Sequence, residues 1–64
     1  MKLNVRKILM LLAEKRMTKA TWAAKCGMSR QNIGVIIGRG TCTPITAGKL
    51  AAGLGVPVIE IVEE

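Results

Sequence analysis

TKATWAAKCGMSRQNIGVII, residues 18–37, is the stretch on which the reading of this chain turns. It reads as a short helix, a glycine turn and a second short helix. Thr18 is placed to cap the first helix, because a threonine hydroxyl accepts one of the backbone N–H groups that a helix start leaves without a partner. Ala20, Trp22, Ala23, Ala24 and Lys25 continue that helix. Gly27 ends it, since glycine enters the left-handed conformation at little cost. Ser29 opens the second helix by the same capping logic. Only Cys26-Gly27-Met28 joins the two, too short a link for them to diverge far.

The second helix carries the sharper signal. At about 100° per residue, Ile33, Ile36 and Ile37 share one arc and must face a core. Gln31, Gly34 and Val35 fall on the opposite arc, with Arg30 and Asn32 at its flanks. A solvated helix face ordinarily carries Glu or Lys. Here a mid-helix glycine, about 1 kcal/mol worse than alanine, sits beside an outward-facing valine. Neither helps an isolated helix, and both fit a face that presses into a groove. Glycine permits close approach, valine can touch a thymine methyl, and Gln31 and Arg30 can read base edges bidentately. The alternative is that Gly34 admits a neighbouring helix and Val35 is ordinary packing. Two short helices about a tight turn have the shape of a helix-turn-helix, which presents its second helix to DNA.

Sixty-four residues make one domain. A chain of that length buries only about 60% of its unfolded surface, so its stability is modest unless it pairs. Half of the residues are hydrophobic, but Phe and Tyr are absent and Trp22 is the only aromatic, so the core is expected to be aliphatic. The net charge is +6, and its distribution says more. Glu60, Glu63 and Glu64 lie in the last five residues, while residues 1–59 hold all ten Lys and Arg against Glu14 alone, a net +9. So basic a body points to a polyanion, nucleic acid first and an anionic membrane second. The plainer reading is a merely soluble basic surface.

Cys26 and Cys42 are unrelated singles. With no CxxC and no histidine, neither a zinc site nor any other metal is expected. Cys26, in the turn, reads as a buried core thiol, and Cys42 falls in a loop. Nothing supports a disulfide, in keeping with a reducing cytoplasm. In the opening MKLNVRKILMLLAEKR the uninterrupted apolar run Ile8–Ala13 is six residues, with no cleavage site before Glu14-Lys15-Arg16. That is too short for a secretory signal and far too short to span a membrane. It is expected to form helix 1 of a cytoplasmic domain.

Asn4 is placed to cap helix 1, Val5 to about Arg16, with Val5, Ile8, Leu9 and Leu12 as its apolar stripe. Met10 and Leu11 fall outside the stripe: either Leu11 widens the buried face, or some of this surface meets a partner. Met17 plugs the core before helix 2. Lys19 opposes the dipole in the first turn of helix 2, yet suits a phosphate there. Gly38-Arg39-Gly40-Thr41-Cys42-Thr43-Pro44 marks a loop. Its Arg39, Thr41 and Thr43 supply donors for backbone phosphates, or, for the threonines, simply meet solvent. Thr46 is expected to cap helix 4, with Ala47, Leu50, Ala51 and Leu54 inward and Gly55 as its stop. Pro57 suits the first turn of helix 5, which is expected to reach about Val62 with Val58 and Ile61 inward. No strand pattern competes, no repeat is visible, and no linker divides the chain.

Along nearly its whole length, without gaps, the chain resembles the lambda repressor/Cro-type helix-turn-helix domain, the Xre-like family. Met17-Thr18 stands where that family has a Leu-Thr pair, and Trp22-Ala23 stands in its Leu-Ala place. Gly27-Met28-Ser29-Arg30 is similar to its Gly-Val-Ser-Arg turn. Thr46-Ala47-Gly48-Lys49-Leu50-Ala51 and Leu54-Gly55-Val56 resemble its helix 4 and the start of helix 5. The resemblance implies an all-α fold, a compact five-helix lambda repressor-like bundle with the helix-turn-helix in helices 2 and 3. It implies base contacts from Arg30, Gln31, Gly34 and Val35. It implies phosphate contacts from Lys19, Ser29, Asn32 and Arg39, to which the loop adds Thr41. Lys19 and Ile37 replace the family's usual Gln and frequent Glu, and Gly38-Arg39 replaces its Asn-Gly, which moves that phosphate contact to Arg39. Trp22 replaces a leucine, so the packing around it must have adjusted.

The expectation is a sequence-specific double-stranded DNA-binding transcriptional regulator of the phage- or mobile-element-repressor type. A domain this small reads few base pairs, so it is expected to bind as a homodimer on half-sites about one helical turn apart, ~34–36 Å. Met10, Leu11, Ile59 and Val62 are candidates for the seam. The alternative is a protein-binding module of the same fold, such as an antitoxin that neutralises a partner protein. A membrane-surface peptide is disfavoured by the short, glycine-punctuated helices. With no histidine, no carboxylate pair and no phosphate-cradling loop, an enzyme is the least supported class. No cofactor and no small-molecule ligand is expected.

Overall fold

The computed structural model describes residues 1–63, and Glu64 lies outside the described residues. Four α-helices follow one another: α1 (Val5–Glu14), α2 (Lys19–Cys26), α3 (Arg30–Arg39) and α4 (Pro44–Leu54). A single 3₁₀ turn at Val58–Glu60 comes after them, and two short strands, β1 (Lys2–Leu3) and β2 (Val62–Glu63), join the two ends of the chain. Each helix begins on a side chain that accepts a backbone N–H. Asn4 takes that of Lys7 at 3.1 Å, Thr18 that of Thr21 at 3.1 Å, and Ser29 that of Asn32 at 3.0 Å. These are the expected caps.

The fourth cap is a correction: α4 starts on Thr43, which accepts the N–H of Thr46 at 3.3 Å. Pro44 is the reason. Its fixed φ and missing N–H suit the first helical position, so the cap falls three residues before the expected one and Thr46 becomes the capped donor. Gly27 and Gly55 end α2 and α4 in the left-handed region, at φ 71° and 70°. Helix α1 stops at Glu14 rather than Arg16, and Arg16 itself turns the chain at φ 53°.

All four helices contribute to one aliphatic core built around Trp22, which has no exposed surface. The indole N–H donates to the carbonyl of Leu50 at 3.0 Å, so the one polar atom of the ring is satisfied. Space for the ring comes from Gly53. A Cβ there would lie 2.5 Å from Cys26 Sγ and 3.1 Å from Trp22 Cδ1. The bulk added on α2 is matched by a side chain missing from α4, as interior packing density requires. Leu9 is 44% exposed and is not part of the buried stripe, whereas Leu11 packs against the core. Helix α1 is turned so that Leu11, not Leu9, borders Ile8 and Leu12.

The fifth α-helix is absent. After the turn at Val58–Glu60, Ile61 enters the core fully buried and the chain straightens into β2. There it pairs antiparallel with β1, Lys2 opposite Glu63 and Leu3 opposite Val62. On its other edge β1 meets the α3–α4 loop. Lys2 bridges to Thr41, Leu3 N–H donates to Gly40 O at 2.8 Å, and Cys42 N–H donates to Met1 O at 2.9 Å. A helix over 57–62 would leave one edge of β1 without hydrogen-bond partners, and the ribbon resolves that. The molecule is mostly helical with a small sheet, not an all-helical bundle of five. No helix among the described residues is long and apolar enough to cross a membrane.

Candidate nucleic-acid interface

Helix α3 sinks Ile33 and Ile36 into the core and half-buries Ile37. Arg30, Gln31, Asn32, Gly34, Val35 and Gly38 are exposed. The outward face is low in relief, because a Cβ built at Gly34 or Gly38 meets nothing within 4 Å. That removes one of the two readings of Gly34: no helix of this chain packs on it. Each of the two glycines costs about 1 kcal/mol relative to alanine and makes no compensating internal contact. Between them Val35 stands 48% exposed, an apolar side chain on an otherwise polar surface.

Two shallow hollows flank this face. In one, Thr18, Lys19 and Ala20 at the start of α2 meet Arg30 at the start of α3. Two cations therefore share a hollow at two capped helix N-termini, where the backbone dipoles also favour negative charge. The other hollow lies between α3 and the loop that follows it, where Asn32, Val35 and Arg39 face Thr41, Thr43 and Thr46. The sequence-derived residues thus fall on one side of the molecule. Gln31 and Gly34 lie on the open face, Lys19 and Arg30 on one flank, and Asn32, Val35, Arg39 and Thr41 on the other. Ser29 is exposed, with its oxygen engaged in capping α3 and its hydroxyl hydrogen left to donate. The Thr43 hydroxyl is spent on Thr46, accepting its N–H and donating to its Oγ1 at 3.0 Å. Sequence reasoning missed that Thr46 and Cys42 border the second hollow. The signal available was Pro44, which moves the helix start to Thr43 and brings Thr46 beside α3.

Among the described residues the ion pairs are Lys2–Glu63 at 3.7 Å and Lys7–Glu60, both at the ribbon and the start of α1. Such surface pairs add little to stability, but they set Glu63 and Glu60 against lysines of β1 and α1 rather than against the cations of α2 and α3. Lys19, Arg30 and Arg39 carry no such pair among the described residues. Burial pushes the Cys26 thiol up, with a backbone hydrogen bond from Gly53 pulling the other way. Burial also raises Cys42, opposed by the terminal ammonium of Met1. Both stay protonated at neutral pH, unlike activated cysteine nucleophiles. Among the described residues no cluster of three His, Cys, Asp or Glu is placed to hold a metal. No protein-family model, curated protein or solved structure matches the chain.

Proposed function

We propose that the chain is a sequence-specific double-stranded DNA-binding transcriptional regulator of the lambda repressor/Cro type, with α2 and α3 as its helix-turn-helix. One observation carries the reading. The outward face of α3 is open and flattened by Gly34 and Gly38, with cations on both flanks. A major groove about 12 Å wide admits a helix about 10–12 Å across when its backbone approaches closely. In this reading Arg30 and Gln31 address base edges, Gly34 lets the backbone in, and Val35 meets a thymine methyl. Lys19, Ser29, Asn32, Arg39 and Thr41 hold phosphates on either side and release counterions, which makes binding salt-dependent. The protein acts in the cytoplasm as a homodimeric repressor. Met10 and Ile59 are the seam candidates, since Leu11 and Val62 pack on their own core.

A second reading, a protein-binding module of the antitoxin kind, draws on Ile45 and Ile59, which are 77% and 74% exposed. Selection from a random duplex pool at two salt concentrations separates the two. An enriched inverted repeat is the expected result, and Gln31→Ala then weakens the selected site by about 1–3 kcal/mol and relaxes one base pair. Equal loss on every sequence excludes base reading by Gln31. No binding at either salt puts the protein partner first.

A further inference from the structure

We infer that the N-terminal strand is a positioning element: Lys2 and Leu3 hold the α3–α4 loop in the shape that presents Arg39 and Thr41. The ligand in this inference rests on the DNA reading above, but the ordering of the loop does not. Helix α3 ends on Gly40 in the left-handed region at φ 76°, and α4 opens on the Thr43 cap. Only Thr41 and Cys42 lie between. Gly40 N–H is used within α3's last turn, on Ile36 O at 2.8 Å, and Pro44 has no N–H to give. The loop's remaining backbone bonds run to the N-terminal segment. Gly40 O accepts from Leu3 N–H at 2.8 Å, and Cys42 N–H donates to Met1 O at 2.9 Å. Between those two bonds, Lys2 stands beside Thr41.

The strand can act as a brace because it is itself fixed. Leu3 is buried in the core, and Asn4 N–H donates to Ile61 O at 2.8 Å on the opposite edge. Arg39, the last residue of α3, and Thr41 sit on either side of Gly40, whose torsions set their directions relative to one another. Glycine is the residue whose torsions are least restrained by its own sterics, so the restraint at Gly40 comes from its neighbours. Without the Leu3 bond the loop is held by its helix caps and by the two bonds Cys42 makes to Met1, its N–H donating to Met1 O at 2.9 Å and its carbonyl accepting from the terminal ammonium at 2.7 Å.

The test is an amide-to-ester replacement at Leu3 in the full chain made by chemical synthesis. It deletes the N–H donor to Gly40 and leaves every side chain in place. The same replacement at Asn4 deletes the bond to Ile61 on the other edge and is the control. In the free protein, the Leu3 ester is expected to speed exchange of the Cys42 amide about tenfold or more, by local opening of the loop. On mixed-sequence duplex DNA it is expected to weaken binding about fivefold, the equivalent of one hydrogen bond. It should also reduce the salt slope by about one, the mark of a lost phosphate contact. The Asn4 ester should leave the exchange rate and the salt slope at their unmodified values, even where it lowers the melting temperature equally. Equal effects from both esters, or none from either, overturn the inference. If the unmodified chain binds no DNA, the DNA reading falls, and the Cys42 exchange comparison alone decides whether the strand orders the loop.

Discussion

Gly53 and Gly34 are both helical glycines, and they are there for opposite reasons. At Gly53 the missing side chain is filled from inside: Trp22 and Cys26 occupy the space a Cβ would need. At Gly34 the same absence faces 4 Å or more of open space. The seam between α2 and α4 is complete in itself, whereas the chain leaves the outward face of α3 open. A glycine in a helix is informative through what approaches it, and under the proposed DNA reading the two regions separate the demands of folding from those of recognition.

The comparison breaks most sharply at Trp22. Trp22→Ala removes the residue the seam is built around and should cost about 3–5 kcal/mol, enough to unfold most of so small a domain. Denaturant unfolding measures it, and a loss below about 1 kcal/mol would mean that the seam collapses around the cavity. Gly53→Ala comes next, at about 1–3 kcal/mol from overpacking, despite alanine's better helix propensity. Adding Cys26→Ala should recover part of that loss, and strictly additive losses would remove the steric explanation. Gly34→Ala should do the reverse, stabilising the free protein by about 1 kcal/mol while weakening duplex binding. A fall in its melting temperature would reveal an internal contact at the face.

The smallest effect belongs to Cys26. Its thiol is raised in the folded state, so the folded state holds that proton more tightly than the unfolded chain does. The associated stability is full below the unfolded thiol range, begins to fall at about pH 8.5, and is lost as pH rises through the higher folded-state value. Cys26→Ala should flatten that alkaline decline, as unfolding at several pH values would show.

The helices were legible because their signals are local. Asn4, Thr18 and Ser29 lie one residue before the helices they cap, and the isoleucines of α3 repeat at helical spacing. Thr43 and Thr46 compete for the start of α4, and only the demand of Pro44 decides between them. The ribbon was not legible. Two-residue strands have no alternation to display, and the partners of Lys2 are Thr41 and Glu63. Pro57 was expected in the first turn of a fifth helix and instead precedes a single 3₁₀ turn, which the burial of Ile61 and the pairing of β2 end after Glu60. At the candidate interface, periodicity was enough to place Gln31, Gly34 and Val35 together on an outward arc. It could not tell whether Gly34 met another helix, because that depends on how all four helices stack.

Trp22 also makes the protein its own optical reporter. With no Tyr and no Phe in the chain, ultraviolet fluorescence comes from one indole, with no exposed surface and its N–H bound to Leu50. Emission from the folded state should be blue-shifted and resistant to iodide quenching, and should move to the red when the seam between α2 and α4 opens. The exposed face of α3 carries no chromophore, so a ligand held there touches nothing that emits. A fluorescence titration of this chain reads the integrity of its core and stays silent on occupancy of its surface.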